Sequence, residues 1–181
     1  MAEQYGVSSL SSQRVVMGPG KVYIGASKTW PLGATKGGST LEINRTFRDI
    51  RPDGARGKVK GFRFLESGEY TLTVKLLEFH EWWSYYMLAG SSLAAHALTG
   101  GEINDSVYLS EVTFDMEIKG TNIGTEATLV SIKLTNCMVE GPFTMNAPEG
   151  GEMVFEFKFT AHYLATALTT EPFTITFTPA T

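Results

Sequence analysis

The feature that most limits how this chain can fold is a period of two. From Tyr70 to Leu76 the sequence alternates, with Tyr70, Leu72, Val74 and Leu76 on one side and Thr71, Thr73 and Lys75 on the other. Successive side chains of an extended strand point to opposite faces, so this run predicts a half-buried β-strand. Three later runs repeat the pattern. Val112, Phe114, Met116 and Ile118 oppose Glu111, Thr113, Asp115, Glu117 and Lys119. Val130, Ile132 and Leu134 oppose Ser131, Lys133 and Thr135, and Met153, Phe155, Phe157, Phe159 and Tyr163 oppose Val154, Glu156, Lys158, Thr160 and His162.

Shorter strands are expected at Lys21 to Gly25, at Leu41 to Asn44 and on to Ile50, and at Phe173 to Phe177. Gly18-Pro19-Gly20, Gly120 to Gly124 and Asn146 to Gly151 punctuate them as turns. Six or seven alternating strands predict a mainly β fold, a two-layer sandwich or barrel. One stretch, EFHEWWSYYMLAG, reads as a helix: Phe79, Trp83, Tyr86 and Met87 fall at helical spacings from Leu76, and Gly90 suits its end. That predicts one short α-helix pinned by large side chains to an edge of the sheet.

The chain has 181 residues, enough for a single domain that buries about 70% of its unfolded surface. Residues 1–17 are polar and Ser-rich and read as a flexible N-terminal arm; residues 26–38 and 91–106 read as loops. Residues 165–181 form a small-residue linker followed by a strand. Such a strand is an edge hazard unless it pairs, within its own sheet or with a neighbouring subunit.

Between two strands lies a polar segment centred on the turn Pro52-Asp53-Gly54. It is dense in cations: Arg45, Arg48, Arg51, Arg56, Lys58, Lys60 and Arg63. Residues 45–61 are therefore expected to protrude as a long hairpin arm. Arg45, Phe47, Arg48, Asp49, Ile50, Arg51, Asp53, Arg56 and Lys58 are its candidate contact residues. Phe47 and Ile50 would be apolar anchors, and the arginines would meet carboxylates.

Several chemistries are disfavoured. The formal net charge of −4 argues against a general nucleic-acid binder. A single cysteine, Cys137, excludes an intrachain disulfide framework and cannot complete a zinc site with His80, His96 and His162, none of which has a partner at ligand spacing. Gly33 to Gly38 lacks the spacing of a phosphate loop, and Glu149-Gly150-Gly151-Glu152 reads as an exposed turn rather than a catalytic pair. No apolar run is long enough for a membrane helix, and the N-terminus lacks a signal-peptide pattern. No enzyme activity, metal or cofactor is expected.

Some of these motifs also occur in order: Gly33 to Gly38, Glu42 to Arg45, Phe47 to Ile50, Asp53 to Gly61, and Thr71 to Glu78. In that order they resemble the major tail (tail tube) proteins of long, flexible-tailed bacteriophages, over about a quarter of the chain. Arg51 departs from the pattern, since family members read acidic there. The resemblance implies a structural virion protein of the phage tail, assembled in the host cytoplasm. It implies hexameric rings that stack around a tape-measure protein, end on terminator and distal tail proteins, and later pass DNA. Glu111, Asp115, Glu117 and Glu156 are then candidate lumen-facing acids, because a conduit for DNA should repel phosphate, which a cationic lining would bind. Three other readings remain open: a tube subunit of a contractile tail or injection machine, a nucleic-acid-binding β-domain using the basic hairpin and Trp82-Trp83, and a carbohydrate-binding module.

Overall fold

A computed structural model describes residues 16–25, 30–78, 91–94, 96–100, 114–122 and 128–178. The stretch expected to be helical, with Phe79, Trp83, Tyr86 and Met87, lies outside the described residues, as does Glu111. The strands in chain order are β1 (Val16–Ile24), β2 (Trp30–Pro31), β3 (Thr35–Asp49), β4 (Arg63–Leu76), β5 (Ser91–Ala94) and β6 (Ala97–Gly100). They continue with β7 (Phe114–Asn122), β8 (Thr128–Val139), β9 (Thr144–Asn146), β10 (Val154–Ala161) and β11 (Phe173–Phe177).

Nine strands form one antiparallel sheet in the order β2-β1-β7-β8-β10-β4-β3, with β11 added to β8 and β9 to β10. Among the described residues these nine strands make one continuous sheet, and β5 and β6 make a separate two-stranded one. The sheet curls, so that β1 and β3, from opposite ends of the order, come into contact. Val22 and Ile24 of β1 thereby enter the same core as Tyr70, Leu72, Val74 and Leu76 of β4 and Phe155, Phe157 and Phe159 of β10. The alternating runs supply this face, and each fully buried side chain of this size stabilises the fold by about 1.5 to 3 kcal/mol.

β8 is a branch point. Along one edge it pairs with β7; along the other, Cys137 to Val139 pair with β10 and Val130 to Leu134 pair with β11. An irregularity at Asn136, with φ 51°, lets both Leu134 and Cys137 face the core. The Asn136 N–H donates to Asp115 Oδ1 at 3.2 Å. The C-terminal strand therefore pairs within its own chain.

Three boundaries differ from the sequence reading. β1 begins at Val16 and runs through Gly18-Pro19-Gly20, because the register shifts between Met17 and Lys21 and such an irregularity tolerates proline. β3 starts at Thr35; Gly37 and Gly38, at φ 83° and 81°, take up the extra residues before Ser39. Within 91–106, read as a loop, β5 and β6 form a hairpin with Leu93 opposite Leu98. Its residues are too small and uniform to show an alternation.

Candidate functional site: the projecting hairpin

β3 and β4 form one long hairpin, but only part of it belongs to the body. β10 accompanies β4 from Leu76 as far as Tyr70, where Ala161 is its last partner. Beyond Tyr70, β4 pairs with β3 alone, from Asn44 opposite Glu69 to Asp49 opposite Arg63. The strand expected to run on past Asn44 toward Ile50 reaches Asp49, and within the protruding segment the loop proper is residues 50–62. A two-stranded ribbon has no buried face and so shows no alternation in sequence.

The root of the arm is packed from three sides. Arg45 lies opposite Gly68, its guanidinium 5.6 Å from the Phe173 ring centroid and its Nη2 3.8 Å from Glu171 Oε2. Tyr70 is fully buried and stacks at 4.9 Å on Phe173 and edge-on at 6.4 Å on Tyr163. Its ring lies over Gly68, where a Cβ would collide with the Tyr70 hydroxyl. Just beyond, Thr46 and Ser67 hydroxyls meet at 2.5 Å, and the pairing then skips Glu66 to set Phe47 opposite Leu65. That extra residue changes the local twist.

The tip is organised around Asp49. Its Oδ2 lies 3.5 Å from Lys58 Nζ and its Oδ1 3.5 Å from Arg63 Nε, while the Arg63 guanidinium sits 4.3 Å over the Phe47 ring. The Ile50 N–H donates to Phe62 O at 2.8 Å, and the turn closes where Ala55 N–H donates to Pro52 O at 3.1 Å, with Gly54 at φ 84°. Asp49 thus stiffens the tip from within through Lys58 and Arg63.

Outward, the arm presents Phe47, Ile50, Val59, Phe62, Phe64 and Leu65, of which Phe64 is 52% exposed. Of these, sequence reasoning singles out only Phe47 and Ile50. Arg48, Arg51, Arg56 and Lys60 make no ion pair among the described residues, and Asp53 shares the exposed tip with them. At the opposite end of the same hairpin lie Glu78 and Glu152, where Lys36 Nζ holds Glu152 at 2.5 Å and keeps its carboxyl below the usual range.

The acids expected to line a lumen are distributed on the face opposite the core. Asp115 pairs with Lys133 at 3.1 Å and Glu156 with Lys75 at 3.8 Å; nearby, Glu69 pairs with Lys158 at 3.9 Å. Glu117 is only 4% exposed and accepts a hydrogen bond from Ser131. Asp115 and Glu156 are therefore each balanced by a lysine on an adjacent strand, while Glu117 is held by the Ser131 hydroxyl. Sequence alone does not reveal this, because the partners are far apart along the chain. His162 Nε2 lies 3.2 Å from Glu140 Oε1. Among the described residues no three His, Cys, Asp or Glu side chains gather as a metal group.

No family model matches the chain, and no curated protein is significantly similar to it in sequence. Solved structures of similar fold do exist. A chain of the PVC sheath–tube complex, from an extracellular contractile injection system, is similar with a TM-score of 0.58 at 12% identity, covering 95% of this chain and 99% of that one. A chain of the PVC sheath/tube terminator gives 0.56 at 12% identity, over 97% and 99%. A chain of the anti-feeding prophage cap gives 0.53 at 15% identity, over 98% and 95%. At these identities the likeness is one of fold, and it spans nearly the whole length of each chain.

Proposed function

We propose that this chain is a structural subunit of a tail tube or tube-like injection conduit, and that copies of it assemble through the projecting hairpin. The carrying observation is the arm itself: six large apolar side chains beside four cations without an ion pair, held away from the body on a preorganised ribbon. A patch of this kind marks a contact with another molecule. The acids at the opposite end of the hairpin make a second copy a fitting partner, because a head-to-tail contact repeats along one axis. The role is structural rather than catalytic.

The sequence resemblance supports the finer reading. Rings of six would stack around a tape-measure protein in a flexible phage tail, capped by terminator and distal tail proteins, with DNA passing through. The contractile setting is the second reading, favoured by the origin of the solved structures of similar fold. We assign the inner wall to the face bearing Asp115, Glu117 and Glu156. With Asp115 matched by Lys133 and Glu156 by Lys75, and Glu117 almost wholly buried, such a wall is close to neutral rather than repulsive. A wall of this kind neither binds phosphate by counterion release nor expels it.

Electron microscopy of the purified protein at high concentration tests the reading directly: stacked rings with a central channel are expected. Replacing residues 47–66 by a short Gly-Ser turn ends the hairpin at the Thr46–Ser67 pair. The variant should remain folded and form no long tubes. Polymerisation equal to the parent's would remove the arm from assembly, and a reconstruction with the Asp115 face outward would remove the lumen assignment.

A further inference from the structure

The arm leaves the body at a point built to pivot. Its third-strand partner ends at Ala161, Gly68 carries no side chain, and one residue later the ribbon accommodates the extra Glu66. What spans this pivot is the last strand. Docked on β8, β11 brings Phe173 against Tyr70 and under Arg45, and the residue before Pro172, Glu171, meets Arg45 from the side. Five residue pairs with β8 and the Thr135 N–H bond to Pro172 O hold the strand, along one edge only among the described residues. It is five residues long and mostly exposed, with Phe177 at 71%, and it is reached through a run of turns carrying the exposed Leu164 and Leu168. Short elements with few buried contacts open locally at low free energy.

We propose that the C-terminal strand is a releasable clasp for the arm: docked on β8 it sets the arm's direction through Arg45, and undocked it lets the arm swing about Gly68. The arm is then presented for contact only after the last strand has docked, so the end of the chain controls when an otherwise folded body becomes competent to bind. Arg45 is a positioning residue in this device, acting through Phe173 and Glu171. Its guanidinium does two jobs at once, stacking on a ring and pairing with a carboxylate, which a lysine does less well. The clasp stands whether or not the arm builds a tube.

The test is a distance measurement in the full chain. Spin labels at Gly57→Cys on the tip and Lys21→Cys on β1 report the arm's spread by pulsed electron resonance, since the native Cys137 is buried and does not label. The parent should give one narrow distribution. Glu171→Ala with Phe173→Ala should broaden it at least about twofold, with the body's circular dichroism retained, because only a local opening is involved. Arg45→Gln, which removes no core side chain, should broaden it by itself, and Arg45→Lys should lie between. A parent distribution that is already broad overturns the clasp, as does an unchanged width in Arg45→Gln. Should the double variant lose its fold, Arg45→Gln decides.

Discussion

The two halves of the β3–β4 hairpin are the same ribbon in different company. From Tyr70 to Leu76 it is flanked by β10, and its inward side chains are completely buried. From Arg63 to Ser67 it has no third strand, and Phe64 and Leu65 stand exposed. Strand formation is therefore not what separates body from arm. The difference lies in whether a neighbouring strand turns one face into core. In the body, apolar residues stabilise the fold of one chain; in the arm, comparable residues remain available to another.

This comparison is broken most sharply in the body. Phe157→Ala should cost about 3 to 5 kcal/mol of stability in thermal or denaturant unfolding, as for other buried aromatic truncations. A loss below about 1 kcal/mol would mean that β10 does not organise the core.

At the junction, Gly68→Ala forces a Cβ into the Tyr70 ring and should cost about 1 to 3 kcal/mol. A neutral result would show that the ring is free to move aside.

Burial also sets a chemical contrast. The Cys137 thiol is pushed up to about 12, first by burial and then by the nearby Asp115 carboxylate, so it stays neutral when folded. Its folded value is raised, so its contribution to stability is complete below the ordinary value of 9.0 and is lost as pH rises from there toward about 12. By pH 10 the loss should be about 1 kcal/mol, read as a shift in the denaturant midpoint that a Cys137→Ala chain lacks. Cys137 should also ignore thiol reagents at pH 8, whereas Phe64→Cys on the arm should react at once.

The smallest effect on stability is expected in the arm. Phe64→Ala should change unfolding by less than about 0.5 kcal/mol while reducing tube formation. If it unfolds the subunit instead, the arm belongs to the core after all.

Much of the body was legible because burying one face imposes a period of two on the sequence. Met116 between Asp115 and Glu117, or Phe157 between Glu156 and Lys158, can be read without coordinates. The arm was legible in charge and in the run of its first strand toward Ile50, but not in the extent of its returning strand, since a ribbon exposed on both faces carries no such period. The clasp was not legible at all. Arg45 and Phe173 lie at opposite ends of the sequence, and only the curl of the sheet and the branch at β8 bring them together. The same holds for the lysines that neutralise Asp115 and Glu156.

That branch has a mechanical consequence. β10 is joined to β4 by seven residue pairs, from Phe155–Leu76 to Ala161–Tyr70, but to β8 by only three, from Phe159–Val139 to Ala161–Cys137. Load applied along the arm enters β4 and passes into β10 over the long seam, and reaches the rest of the sheet over the short one and through the contact of β3 with β1. Of the two seams the shorter has fewer paired residues to break, so flexing of the body is expected along the line between β8 and β10. In a stack of such subunits, compliance would reside inside every protomer as well as between rings.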